Sequence, residues 1–211
     1  MHAGNILPNS TLNLNQISDH LGISKTPLRD ALIRMEVEGF VTIMPRRGVV
    51  VNALTIQDVK NFYQICGALE GSVVASVFDR FDGRHIAVMR QLNSEMRAAV
   101  HREEFDTYYK LNIQFHDVFL NLSDNPMIRT MLMPLKRRLY DFQRRPYVKE
   151  WELRNTQEHD QFIDSIKAGD LADAVRMLRD VHWSFSEQEE YIRAFHQRDA
   201  KANRSRTGIR S

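Results

Sequence analysis

Apolar and polar positions over residues 17–51 predict a helix, a tight turn, a second helix and a β-hairpin, in that order. Ile17, Leu21 and Ile23 supply the first apolar set. Gly22 stands where a sharp turn between two helices needs a residue that tolerates positive φ. This order of elements is typical of a winged helix-turn-helix, a fold that binds DNA.

The second helix is predicted to begin after Ser24 or Thr26, either of which can cap it, and to end at Gly39. Its apolar positions recur with a helical period at Leu28, Ala31, Leu32 and Met35. The positions left facing outward are the expected readers of base edges in the major groove. They are Lys25, Thr26, Arg29 and Ile33, of which we assign the first three to DNA contact.

The hairpin is predicted from two short β-branched runs, at residues 40–43 and 49–51. Pro45, Arg46, Arg47 and Gly48 make the turn between them. Two arginines at the tip of a hairpin suit contact with phosphates or with the minor groove. We therefore expect Arg46, Arg47 and Gly48 to approach DNA.

From Thr55 onward glycine is sparse and apolar positions follow a helical period. Helical patterns occur at 59–70, 84–100, 103–122, 126–144, 151–168 and 170–194. The predicted fold is mostly α, with a winged helix-turn-helix domain at residues 1–53 and an all-helical domain at residues 54–195. Residues 196–211 are polar and basic and are expected to form a disordered tail.

Charge is distributed unevenly along the chain. Residues 51–192 carry 18 Lys/Arg against 22 Asp/Glu, whereas residues 193–211 carry six against one. The acidic middle segment of the chain is unsuited to binding nucleic acid. Basic side chains on a helix and a wing can instead form a patch that contacts phosphates.

Composition also restricts the class of protein. The single cysteine, Cys66, excludes an internal disulfide framework, and no apolar run has the roughly 18 residues that a membrane helix needs. We therefore expect no membrane partner. No signal peptide is visible, so the expected location is cytoplasmic.

Three histidines are predicted to point into the helical domain. Asn112 and His116 lie four residues apart on one apolar helix face, and His159 and His182 lie on the apolar stripes of two further helices. A single inward histidine is commonly a hydrogen-bonded core residue. Three of them need partners for both ring nitrogens, and a shared divalent cation would occupy one nitrogen of each. Spacing alone leaves both interpretations open.

Several segments together resemble the GntR family of bacterial transcription regulators. In the first domain these are residues 21–32, the sequence Glu38-Gly39-Phe40-Val41 and the turn at residues 45–48. The helical domain resembles the FCD domain of that family, through Leu69-Glu70, Asn112 with His116, Asn125-Pro126, the run from Glu158 to Asp170, and His182. The resemblance implies a homodimer that binds a pseudo-palindromic double-stranded DNA operator under control of a small-molecule effector. We accordingly expect a repressor and not an enzyme.

The resemblance also implies a metal site. The metal-binding FCD subset uses an aspartate or asparagine and three histidines, at positions that match Asn112, His116, His159 and His182. We expect zinc first, with nickel or manganese as alternatives. Because these ligands are all neutral, the charge of a dication would stay uncompensated, which favours a carboxylate in the remaining coordination positions. A small organic acid is therefore the expected effector.

The chain departs from the family pattern in three places. A helix that normally precedes the segment beginning at Gly4 is expected to be missing from the DNA-binding domain. Lys25 stands where an arginine is usual, which keeps the charge but not the bidentate fork that reads guanine. Cys66 stands where another arginine is common, which weakens the expectation of an effector-binding cation on that helix.

Two other functions stay open from the residues alone. A metal-dependent hydrolytic enzyme could activate water at an open metal position, although the chain has no HExxH motif and no evident base beside the ligands. A protein-interaction module that has lost DNA binding is the other alternative, and the missing helix would favour it. Binding to promoter fragments that weakens with salt would distinguish this module from a regulator.

Overall fold

The computed structural model of the protein describes residues 8–143 and 148–195, without the side chains of residues 141–143. Two compact units divide the chain, Met1–Thr55 and Ile56–Ser211. The segment around Gly4 and the predicted tail at residues 196–211 lie outside the described residues.

The described residues of the first unit, from residue 8 onward, form two helices and a small sheet. In chain order its elements are β1 (Thr11–Leu12), α1 (Leu14–Leu21), α2 (Lys25–Val37), β2 (Val41–Met44) and β3 (Gly48–Val51). The sheet is antiparallel in the order β1-β3-β2. The two strands of the predicted hairpin are β2 and β3, so β3 is the central strand and β2 is one edge. Strand β1 is not predicted from the sequence, because two residues carry no detectable alternation.

The turn between α1 and α2 has the predicted backbone conformation, because Gly22 ends α1 with a positive φ of 62°. The core beneath it is small, and Leu28 and Leu32 are the only buried residues of α2. Ala31 is exposed, contrary to the prediction, and Leu21 is 56% exposed. The reason is that α2 meets the sheet along one narrow face, which Leu28 and Leu32 fill one helical turn apart.

The second unit is helical throughout its described residues. Its elements are α3 (Ile56–Val77), a 3₁₀ turn (Phe78–Arg80), α4 (Gly83–His101), α5 (Phe105–Leu120), α6 (Pro126–Gln143), α7 (Lys149–Ala168), α8 (Leu171–Arg176), a π-helical segment (Met177–His182) and α9 (residues 185–195). Helix α4 packs against α5 and α7, and α3 packs against α6 and the π-helical segment. The predicted fold class is confirmed, and no described helix is long and apolar enough to span a bilayer.

The helix predicted over residues 170–194 is interrupted. The π-helical segment follows α8, and the chain leaves helical geometry at residues 183–184 before α9 begins. Helix α3 approaches this segment at Gly67, where an added Cβ would lie 3.1 Å from the Cβ of Trp183 and 3.2 Å from the carbonyl oxygen of Arg179. A glycine therefore lets α3 approach the segment that carries His182 without displacing its backbone.

Candidate metal centre

Three helical elements bring the predicted histidines together. His116 comes from α5, His159 from α7 and His182 from the last position of the π-helical segment, and one ring nitrogen of each lies within 4.8 Å of the others. All three are buried, with at most 7% of the residue surface exposed. Asn112, one turn before His116 on α5, is also buried. The four residues predicted from the sequence are therefore buried together in one unit.

Two of the histidines are oriented by buried carboxylates. The Nδ1 of His116 lies 2.8 Å from Oε2 of Glu70, and the Nδ1 of His182 lies 3.0 Å from Oε2 of Glu158. An ionised carboxylate only accepts hydrogen bonds, so each Nδ1 carries the proton and each Nε2 keeps its lone pair. Carboxylate–histidine pairs of this kind orient metal-ligating imidazoles.

The third histidine is oriented by an amide. The Nδ2 of Asn93 donates to the carbonyl oxygen of Thr156 and to Oδ1 of Asp160, both at 2.8 Å. Its Oδ1 therefore faces the Nδ1 of His159, at 3.2 Å, as an acceptor. The lone pair of His159 is again left on Nε2.

The atoms on the inner side of this cluster lack hydrogen-bond partners. The Nε2 atoms of His116 and His159 and the Oδ1 of Asn112 are buried, and none has a partner among the described residues. A buried polar atom without a partner costs about 1–3 kcal/mol. All three atoms offer a lone pair, and a single water has only two hydrogens to donate. A divalent cation accepts from all of them, so the residues present fit a metal ion.

Burial also sets the protonation state that metal binding requires. It lowers the pKa of His116 to about 4, even though the adjacent Glu70 raises it. Burial likewise lowers the pKa of His159 well below its ordinary value, and the charges of His182 and His116 act in the same direction. Both imidazoles are therefore neutral near pH 7, and their lone pairs are available for coordination.

Each supporting carboxylate has a cation of its own. Lys136, which is only 1% exposed, forms an ion pair with Oε1 of Glu70. Burial alone would raise the pKa of Glu70, but His116 and Lys136 together lower it below its ordinary value, and the carboxylate stays ionised. At the other carboxylate, the Nε of Arg154 lies 2.9 Å from Oε1 of Glu158.

Family comparisons match both parts of the chain. Residues 1–51 match the model of the bacterial regulatory proteins of the gntR family, and residues 61–182 match the FCD domain. The chain is an FCD-domain member of the GntR family. The likeness expected from the sequence is therefore confirmed for the family.

Curated relatives of this GntR-family chain are transcription regulators and not enzymes. The HTH-type transcriptional regulator YdhC of Bacillus subtilis is 28% identical over 130 residues, which are 61% of this chain and 58% of YdhC. The HTH-type transcriptional repressor RspR of Escherichia coli is 26% identical over 119 residues, 56% of this chain and 52% of RspR. The chain thus matches little more than half the length of these relatives.

A solved structure extends the likeness in fold. E. coli McbR/YncC matches with a TM-score of 0.74, covering 92% of this chain and 90% of that one, at 18% sequence identity. At this identity the likeness concerns the fold alone.

The residues that the GntR-family winged helix is predicted to use for DNA are all exposed. Lys25, Thr26 and Arg29 are exposed in the first two turns of α2, whose buried residues are Leu28 and Leu32. Arg46, Arg47 and Gly48 are exposed at the tip of the hairpin. These positions leave both groups accessible to a nucleic acid.

Several residues of this FCD centre were missed from the sequence. Lys136 precedes two arginines and is indistinguishable there from a solvated helix face. Trp183 directly follows His182 in the sequence, and its Nε1 donates to Oε2 of Glu70 at 2.6 Å. An inward histidine calls for a nearby acceptor, but the sequence does not show that Asn93 and Glu158 supply it, because those contacts depend on tertiary packing.

A small cavity adjoins the histidines. Its volume is about 20 Å³, close to the space of one water molecule. Asn112 and His182 form its wall on the side of the centre, and the rest is lined by Tyr63, Leu139, Tyr140, Asn155 and Trp183. Coordination positions that the protein leaves free would open toward this cavity.

Proposed function

We propose that this GntR-family protein is a ligand-responsive, DNA-binding repressor whose helical unit binds a divalent metal and a small organic acid. The observation that carries the proposal is the set of three buried lone pairs without partners, enclosed by three histidines from different elements. The ligands would be Asn112, His116, His159 and His182.

Zinc is our first choice for the ion. It accepts imidazole nitrogens and carbonyl or carboxylate oxygens in one site, and nickel and manganese remain alternatives. When bound, the ion would supply a concentrated positive charge at the bottom of the cavity. The protein would hold the imidazoles of His116, His159 and His182 in place through the acceptors on their Nδ1 atoms.

The charges around the centre support an anionic effector. The carboxylate of Glu70 is paired with Lys136, and that of Glu158 is paired with Arg154. These four charged groups sum to zero, and the four proposed ligands are neutral. Arg154 also contacts Glu187, which is half exposed to water, and burial raises the pKa of the nearby Glu152. A dication would therefore remain uncompensated until an anion bound beside it.

The winged helix would bind the operator. Lys25, Thr26 and Arg29 would enter the major groove, and the wing at Arg46, Arg47 and Gly48 would contact the backbone or the minor groove. A pseudo-palindromic operator is expected because a dimer presents two such units.

A homodimer is supported by apolar side chains left exposed on two helices that pack together. Ile65 on α3 is 41% exposed, and Met127 and Met131 on α6 are 61% and 58% exposed. A second copy of the chain would bury such side chains.

Metal content tests the proposal directly. Protein purified without chelators is analysed by mass spectrometry for metals, and chelator-treated protein is titrated calorimetrically with Zn²⁺, Ni²⁺ and Mn²⁺. We expect about one ion per chain, lost in His159→Ala and retained in His101→Ala, which changes an exposed histidine of α4. No bound metal and no uptake of any of the three ions would overturn the metal assignment.

DNA binding is tested separately. The protein is titrated onto fragments of its own promoter region at several salt concentrations, with and without Zn²⁺ and small carboxylates. We expect salt-dependent binding that an acid changes only when the metal is present. Promoter fragments that fail to bind at low salt would instead support an interaction module.

A further inference from the structure

A surface groove runs beside α3, and two side chains line both this groove and the small cavity. The groove has a volume of about 790 Å³, and Tyr63 and Trp183 are the residues that it shares with the cavity. Their rings meet edge to face with centroids 5.3 Å apart. One aromatic pair therefore separates the histidine centre from a large open space.

This arrangement determines where most of an organic acid can lie. The cavity, at about 20 Å³, holds little more than one water molecule. A carboxylate that reaches the centre must therefore leave the rest of its molecule elsewhere. The adjoining groove, on the far side of Tyr63 and Trp183, has that space.

The groove carries one cation that no carboxylate balances. The Nε of Arg179 lies 2.8 Å from Oδ1 of Asp180, and in the same way Arg193 pairs with Glu189. Lys60 has no carboxylate partner among the described side chains, and its Nζ lies 5.8 Å from the ring centroid of Phe185. The groove is therefore complementary to a negative charge at Lys60.

We propose that the effector is a dicarboxylate with one carboxylate at the metal centre and the other at Lys60. Lys60 and Glu70, which contacts the ligand His116, both lie on α3. The helical rise separates their backbones by about 15 Å along the axis. A ligand that reaches both positions therefore needs two carboxylates that are separated along its chain. This proposal rests on the metal and organic-acid assignment made above.

Calorimetry with paired ligands tests the proposal on the zinc-loaded protein. Succinate, adipate and suberate are each compared with the monocarboxylate of equal chain length: butyrate, hexanoate and octanoate. We expect at least one dicarboxylate to bind about fivefold more tightly than its partner, the gain typical of one partly exposed ion pair.

Lys60→Met should abolish that advantage and leave the affinity for the monocarboxylates and for zinc unchanged. Lys110→Met, which removes an exposed lysine of α5 outside the groove, is the matched control and should retain the advantage. An equal affinity for every pair, or an advantage that survives Lys60→Met, would overturn the dicarboxylate assignment alone. Failure to bind zinc would instead overturn the proposed function on which it rests.

Discussion

The two units of this protein hold their proposed binding residues in opposite environments. In the winged helix, Lys25, Arg29 and Arg47 are exposed, above a core that is only a few residues wide. In the helical unit, His116 and His159 are buried, and each has a hydrogen-bond acceptor on Nδ1. A surface site acts through charge and shape, whereas a buried site needs a supporting partner for every ligand.

This difference predicts how binding and stability are related in each unit. Removing an exposed arginine costs the folded state little, because water replaces its contacts. Removing a support of the buried centre leaves a charge or a lone pair without a partner in a low-dielectric interior. Binding and folding should therefore be separable in the first unit and coupled in the second.

The largest effect is expected for Glu70→Ala. This change leaves Lys136 buried without its carboxylate and also removes the acceptors of His116 and Trp183. Breaking a buried ion pair in this way costs about 3–5 kcal/mol. The measurement is urea unfolding of metal-free protein, followed by helical circular dichroism.

The matched control for this change removes both charges together. Glu70→Gln with Lys136→Met keeps similar volumes and leaves no unpaired charge, so most of the loss should be recovered. A single Glu70→Ala variant as stable as the parent would show that the buried pair does not support the centre, and the contrast between the units would fail.

Acid should destabilise the metal-free helical unit. Burial lowers the pKa of His116 from 6.5 to about 4, so the unfolded chain takes up a proton first as the pH falls. Stability is therefore highest above pH 6.5 and is lost as the pH falls toward 4. Between pH 7 and pH 5 this histidine alone accounts for about 2 kcal/mol, and His159 shifts in the same direction.

Unfolding curves at several pH values measure this slope, with chelator present throughout. His101→Ala should retain the slope, because His101 is exposed. His116→Gln should reduce it. A flat profile between pH 7 and pH 5 would mean that the buried imidazoles titrate normally.

The sequence predicted the members of the buried histidine cluster better than the residues that hydrogen-bond to them. Asn112 and His116 lie four residues apart on an apolar helix, and His159 lies on a similar stripe, so periodicity alone directs them inward. The partner of His159 is Asn93, which lies 66 residues away along the chain. No local pattern joins two such positions, because their contact exists only after α4 and α7 have packed.

The dependence on tertiary packing also explains the errors in the predicted secondary structure. A π-helical turn has no period that distinguishes it from an α-helix over six residues, so the interruption before α9 was missed. In the winged helix, by contrast, glycine, proline and short apolar runs indicate the order of helices and strands from neighbouring residues alone. Gly22 adopts the positive φ that its position required. Exposure of Ala31 was not predictable, because it depends on how much of α2 the sheet covers.

Arg29→Ala should separate binding from stability in the first unit. We expect a loss of about 1–3 kcal/mol in operator binding, with relaxed base preference at one position, since an arginine that reads a base supplies about this discrimination. The free energy of unfolding should change by less than about 0.5 kcal/mol. Fluorescence anisotropy with single-base operator variants measures the first quantity, and urea unfolding measures the second.

Arg34→Ala is the matched control, because Arg34 is also exposed on α2 but lies about 140° around the helix from Arg29. It should leave base preference unchanged. If both variants weaken all operators equally, α2 contributes only charge, and the assignment of Arg29 as a reader of bases is wrong.

The smallest effect is expected for Arg47→Ala at the tip of the wing. Arg47 is exposed between β2 and β3, where a contact with phosphate would add affinity without sequence information. The variant should bind every operator variant a few-fold more weakly, and the slope of log affinity against log salt should fall by about one. Arg47→Lys keeps the charge and should keep the slope. A change confined to particular operator sequences would show instead that the wing reads the minor groove, and both surfaces of the first unit would then contribute to specificity.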